Sequence, residues 1–173
     1  LVITGSNGLT TTATTGIITA SEIDASASGS LIMGAAAATG LVKLTGSAKA
    51  DTLIGDSAST IYAGAGDDSV TGGTGVDSIF GEAGDDTIDA GTGNDTVDGG
   101  AGADAITSGT GNDNINGGAD DDTLIFGGNL ATGDVANGGD GSDKLSITNA
   151  SLTTVQAYNV TAATALNANI TNI

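Results

Sequence analysis

From Ala63 to Ile125 the chain repeats one nine-residue unit seven times without a break, and this period restricts the fold more than any other feature of its 173 residues. The units are AGAGDDSVT, GGTGVDSIF, GEAGDDTID, AGTGNDTVD, GGAGADAIT, SGTGNDNIN and GGADDDTLI, beginning at Ala63, Gly72, Gly81, Ala90, Gly99, Ser108 and Gly117. The sixth position is always aspartate: Asp68, Asp77, Asp86, Asp95, Asp104, Asp113 and Asp122. The eighth is always aliphatic: Val70, Ile79, Ile88, Val97, Ile106, Ile115 and Leu124.

One such unit is too short to bury anything. Two together are expected to make one turn of a flattened, right-handed coil of short parallel strands, each strand centred on its eighth-position residue. Stacked turns then form a core in which the aliphatics lie about 4.8 Å apart, each stabilising by roughly 1.5–3 kcal/mol when fully buried. Seventh- and ninth-position residues are expected to face water. The chain must reverse between strands within six residues, which calls for glycine, since glycine reaches positive φ at little steric cost. The fold expected is therefore all-β, a right-handed parallel β-roll or β-solenoid.

Residues eighteen apart fall on the same edge in successive turns, so Asp68, Asp86, Asp104 and Asp122 form one column and Asp77, Asp95 and Asp113 another. Like charges one strand spacing apart repel. Carboxylates and backbone carbonyls around a flexible loop are hard oxygens, the ligand set that suits calcium, whereas magnesium demands stricter octahedral geometry. The candidate carbonyls belong to the second- and fourth-position glycines Gly64, Gly66, Gly73, Gly75, Gly84, Gly91, Gly93, Gly100, Gly102, Gly109, Gly111, Gly118, Gly139 and Gly141. The repeat resembles the nonapeptide G-G-x-G-x-D-x-U-x of the RTX (repeats-in-toxin) family, which implies a calcium-bound parallel β-roll. The pattern returns at GGDGSDKLS, from Gly138 to Ser146, where Asp143 is expected to extend the column of Asp113.

Composition supports a cation. The net charge is −18, with three lysines and no arginine, which disfavours nucleic acid and anionic membranes as partners. Two ions per turn would give about five to seven calciums. Cysteine and histidine are absent, removing disulfides, soft-metal sites and the commonest acid/base catalyst. No apolar run is long enough to span a membrane. Leu1 is neither an initiator methionine nor the start of a signal peptide, so the chain is expected to be an excerpt of a longer protein.

Outside the regular block the chain divides into a β-rich flank over 1–45, a roll over 46–146 with a loop excursion at 126–137, and a second β-rich flank over 147–173. Apolar bursts at Leu1–Ile3, Gly16–Ile18, Leu31–Met33 and Leu41–Leu44 predict strands. GSAKADTLI keeps Asp51 and Leu53 in register with Lys49 at the fourth position, and GDSASTIYA puts Thr60 where aspartate is expected. Glu82 and Asp120 replace turn glycines, which makes the turn from Gly117 to Asp122 the expected irregular one.

No catalytic constellation is visible, because the paired carboxylates recur as a structural rhythm and not as one acid/base pair; the chain is expected not to be an enzyme. The Thr/Ala/Ser/Asn-rich, lysine-poor composition is similar to that of bacterial surface-layer proteins carrying RTX repeats. That resemblance implies type I secretion, folding on calcium outside the cell, and assembly with itself and with adjacent domains of the parent protein. An accessory module of a secreted adhesin, toxin or hydrolase is the alternative. An ice-binding solenoid is a third reading, resting on T-x-N at Thr92–Asn94 and Thr110–Asn112.

Overall fold

In the computed structural model, residues 9–12, 22–24, 31–34, 42–127, 133–147 and 167–170 are described. They form strands and turns. The N-terminal strands are β1 (Leu9–Thr12), β2 (Glu22–Asp24), β3 (Leu31–Gly34), β4 (Val42–Thr45), β5 (Thr52–Ile54) and β6 (Ser59–Ala65). The regular block supplies β7 (Ser69–Thr71), β8 (Ser78–Ala83), β9 (Thr87–Asp89), β10 (Thr96–Ala101), β11 (Ala105–Thr107), β12 (Asn114–Ala119) and β13 (Thr123–Ile125). Beyond it lie β14 (Val135–Asp140), β15 (Lys144–Ile147) and β16 (Asn167–Ile170).

From β1 to β15 consecutive strands alternate between two parallel sheets, one ordered β1-β3-β5-β7-β9-β11-β13-β15-β16 and the other β14-β12-β10-β8-β6-β4-β2, with β16 added beside β15. This is the β-solenoid that the nine-residue period implies. The N-terminal strands continue the same two sheets, and of the expected bursts Leu31–Met33 and Leu41–Leu44 overlap β3 and β4. The bursts at Leu1–Ile3 and Gly16–Ile18 lie outside the described residues.

Two aliphatic ladders fill the space between the sheets. Leu53, Val70, Ile88, Ile106, Leu124 and Leu145 pair in register along one sheet. Leu44, Ile61, Ile79, Val97, Ile115 and Ala136 do so along the other. All twelve are buried. Phe126 joins them where other units begin with glycine, alanine or serine. Seventh and ninth positions are half-buried or exposed, as alternation across a half-covered strand requires.

Register corrects the sequence reading at three points. Thr60 pairs with Ser78 and Ile61 with Ile79, so Ser59, not Thr60, stands at the sixth position, and the unit GDSASTIY has eight residues. A one-residue slip would have turned Ile61 out to solvent, and its burial decides the register. The excursion expected over 126–137 does not extend to 137: β14 pairs with β12 through Ile115↔Ala136, so by Val135 the chain forms a further rung, in a unit from Phe126 to Asn137 that is three residues longer than the period; residues 128–132 lie outside the described residues. Asp134 thereby occupies its sixth position, one turn beyond Asp113, while Asp143 lies one turn beyond Asp122 and not beyond Asp113. The turn from Gly117 to Asp122 also stays regular, because Asp120 adopts φ 79° and leaves Gly118 paired with Gly139.

Candidate metal centre

Each sixth-position aspartate lies where a turn enters a strand, and each is almost wholly buried. From Asp68 onward its Oδ1 accepts a backbone N–H from the sixth position of the preceding turn. Asp51, Asp68, Asp86, Asp104 and Asp122 donate in sequence to Asp68 (2.7 Å), Asp86 (2.8 Å), Asp104 (2.8 Å), Asp122 (2.9 Å) and Asp143 (3.1 Å). In the other column Ser59, Asp77, Asp95 and Asp113 donate to Asp77 (2.6 Å), Asp95 (2.8 Å), Asp113 (2.9 Å) and Asp134 (2.7 Å).

The second oxygen is different. Oδ2 of Asp68, Asp77, Asp86, Asp95, Asp104, Asp113 and Asp122 is buried without any hydrogen-bond partner. Leaving a buried acceptor unsatisfied costs about 1–3 kcal/mol, more when it is charged. A carboxylate with one oxygen held and the other bare is set up to meet a cation. Among the described residues no three acidic side chains converge on one point. The aspartates are instead distributed one per turn along two edges, so an ion here would take most of its ligands from backbone carbonyls.

The turn glycines fit that requirement. All fourteen second- and fourth-position glycines named above have positive φ, from 84° at Gly109 to 144° at Gly111. At the fourth position each turn lies directly on the next: a Cβ on Gly93 would collide with the carbonyl oxygen of Gly75, and one on Gly111 with that of Gly93. Stacked carbonyls at this spacing leave no room for a Cβ at Gly93 or Gly111, whereas the turn of Gly117 to Asp122 carries Asp120 at its fourth position. Some second-position carbonyls also serve the backbone ladder, Gly73 O accepting from Thr92 N and Gly91 O from Thr110 N at 2.9 Å each.

Burial sets the electrostatics. Desolvation is the largest influence on every central aspartate and raises its pKa, partly offset by the backbone N–H on Oδ1. The result is about 7 for Asp86 and Asp122 and about 6 for Asp68, Asp95, Asp104 and Asp113, with Asp77 raised as well. Neighbours in the column add repulsion, Asp104 and Asp68 acting on Asp86 and Asp104 and Asp143 on Asp122. The bare protein resists ionising these groups; a divalent cation among hard oxygens reverses that preference.

A second ladder, at the fifth position, was not singled out from the sequence. Asp67 and Asp85 accept N–H bonds from Asp85 and Ala103, Asn94 from Asn112, and Asp121 from Ser142, at 2.8–3.1 Å. Its bonds run toward the preceding turn, opposite in sense to those of the sixth position. The signal was the recurrence of Asp or Asn at 67, 85, 94, 112 and 121. Asp134 was missed because three inserted residues displaced it from the period.

Comparison with known families agrees with the geometry. A model of four copies of the RTX calcium-binding nonapeptide repeat matches residues 62–97, 71–106 and 98–129. No curated protein and no solved structure matches the chain. The buried aspartate columns over 62–129 are therefore carried by RTX calcium-binding nonapeptide repeats, and calcium binding is what those repeats imply.

Proposed function

We propose that this chain is a structural, calcium-stiffened segment of a secreted bacterial surface-layer or cell-surface protein, without catalytic activity of its own. The observation that carries the calcium part is the set of seven buried, unpartnered aspartate oxygens in two columns. Bound calcium would supply the positive charge that those oxygens and the stacked turn carbonyls lack, with about five to seven ions along the roll. The protein's own part is to hold each Oδ1 on a backbone N–H in the folded turn, which leaves Oδ2 for the ion. Folding and ion binding are then one process.

RTX repeats are typical of proteins exported by type I secretion, which suggests an extracellular location. The surface-layer reading adds to this the Thr/Ala/Asn-rich composition without cysteine or histidine. Self-association and packing against adjacent domains follow from calcium cancelling much of the −18 charge, which otherwise keeps copies apart. The test is electron microscopy of the parent protein with and without millimolar calcium. Calcium-dependent sheets or arrays are expected; a monomer with hydrolytic or pore-forming activity would move the chain to the accessory module of a secreted enzyme, toxin or adhesin.

One observation bears on the ice-binding reading. Thr74, Thr92 and Thr110 are joined by parallel bridges, and Asn112 N donates to Asn94 Oδ1, so the two T-x-N pairs do stack. The row ends after Thr74, which Val76 follows in place of asparagine. Thermal hysteresis of the isolated chain tests it.

A further inference from the structure

The rung formed by residues 42–62 differs from the turns of 63–125 in how its sixth-position groups are satisfied. Asp51 stands at the sixth position, but its Oδ2 accepts Ser47 N–H at 2.6 Å and its Oδ1 accepts Ser47 Oγ at 3.2 Å. The protein thus supplies to Asp51 the partner that seven downstream aspartates lack. At the next sixth position, Ser59 replaces aspartate. It is buried, its N–H donates to Asp77 Oδ1 at 2.6 Å, and its hydroxyl donates to Ser57 O at 2.6 Å.

Charge follows the same division. Residues 42–62 contain Lys43 and Lys49 against Asp51 and Asp56, so they are neutral in sum, whereas residues 63–125 contain fourteen acidic residues and no basic one. On the outer face, the Tyr62 and Phe80 rings stack with centroids 5.0 Å apart and planes 10° from parallel, and Lys43 Nζ lies 5.7 Å from the Tyr62 centroid. This ladder links β4, β6 and β8 beside the turn whose sixth-position carboxylate is missing. Net charge and the sixth-position groups therefore leave this rung no bare carboxylate for an ion to correct; its one buried side-chain atom without a partner is the neutral Thr45 Oγ1.

We infer that residues 42–62 form a calcium-independent rung on which the calcium-dependent turns assemble. In a solenoid each rung is stabilised by its neighbours, so a preformed edge lowers the cost of adding the next turn. The preformed edge here also presents useful groups: the N–H of Asp51 and the N–H of Ser59 are the donors that fix Asp68 and Asp77, the first carboxylates with a bare oxygen. The template therefore presents, before calcium is present, the two donors that orient the first ligand of each column once its turn folds. This rests on the calcium reading of the downstream turns, and the two fail in different ways.

The experiment is hydrogen exchange of the full chain, followed by mass spectrometry, in chelator and in millimolar calcium. Peptides from 42–62 are expected to stay protected in chelator while those from 63–125 exchange freely and gain protection in calcium. Ser59→Asp is expected to place one more uncompensated carboxylate in the template and make 42–62 itself lose protection in chelator and recover it in calcium. Tyr62→Ala is expected to lower protection of 42–62 in chelator by roughly two- to fivefold, the worth of its cation–π contact with Lys43 inside the same rung. Exchange of 42–62 in chelator as fast as 63–125 would overturn the template alone, as would a Ser59→Asp chain indistinguishable from the parent. Protection of 63–125 in chelator would overturn the calcium reading and the template with it.

Discussion

The backbone N–H of Asp95 donates to Oδ1 of Asp113, one full turn further along the roll, at 2.9 Å. Asp95 in turn accepts from Asp77 at 2.8 Å, so every interior aspartate is donor to the next turn and acceptor from the last. Removing one side chain therefore strands a buried amide in the turn before it and removes one of the bare Oδ2 atoms that the calcium proposal rests on.

Asp95→Ala is expected to cost about 1–3 kcal/mol through the orphaned Asp77 amide and also to raise the calcium midpoint. Asp98, three residues on, is half-buried and accepts from Asn116 Nδ2 at 2.8 Å on the outer face. Its replacement by alanine is expected to lose about 0.5–1.5 kcal/mol with the midpoint unchanged. Calcium titration followed by circular dichroism separates them; equal midpoints would remove the sixth position from the metal site.

The sequence revealed the period, the aliphatic core and the aspartate columns because each has a strict residue type at a strict offset. Ile79 and Val97 can be read from spacing alone, and so can Asp86. Register was lost wherever the period changed length. An eight-residue unit hid Ser59 behind Thr60, and a twelve-residue unit hid Asp134 inside what resembled a loop, since Ala136 is too small to announce an inward position. Backbone partners were also illegible: nothing in the residue types says that Asp51 is met by Ser47 whereas Asp68 is not.

The pH response of the metal-free chain is expected to run opposite to that of a chain stabilised by ion pairs. Asp86 and Asp122 are raised by burial to about 7, and Asp68, Asp95, Asp104 and Asp113 to about 6, from an ordinary value of 3.8. A carboxyl with a raised folded-state pKa contributes stability that is fully present below its unfolded pKa and lost as pH rises through the folded value. In chelator the roll is therefore expected to be most stable near pH 4 and to weaken progressively up to about pH 7. In calcium the order inverts, since protons then compete with the ion for the same oxygens. Thermal melts across this range, with and without chelator, check both signs; a metal-free chain that gains stability from pH 4 to 7 would contradict the burial of these groups.

Glu82 and Asp120 are the two described non-glycine residues at positive φ, at 74° and 79°, where neighbouring turns place glycine. Both are exposed. A side chain there costs about 1–2 kcal/mol, less for aspartate, while glycine gives back about 0.4–1 kcal/mol through the freer unfolded chain. Glu82→Gly is expected to stabilise the calcium-bound roll by about 0.5–1 kcal/mol, and Asp120→Gly by less. Melting temperature in saturating calcium reads both, and a loss of stability in Glu82→Gly would mean that its side chain makes a compensating contact.

Asp134 decides whether residues 126–137 are a rung or an excursion. As a rung member, Asp134 is buried and its Oδ1 holds the amide of Asp113 at 2.7 Å, closing the column that runs from Ser59 through Asp77, Asp95 and Asp113. Asp134→Ala is then expected to leave a buried amide unsatisfied at a cost of about 1–3 kcal/mol. It should also raise exchange at the Asp113 amide, 21 residues away in sequence. Asp140→Ala is the control, since Asp140 is exposed on β14 and a surface substitution of this kind stays within about 0.5 kcal/mol. Residue-resolved exchange in saturating calcium reads the Asp113 amide directly. Faster exchange in Asp134→Ala and none in Asp140→Ala is the outcome expected of a twelve-residue rung. An Asp113 amide indifferent to Asp134 would return 126–137 to a loop outside the roll and end its column at Asp113.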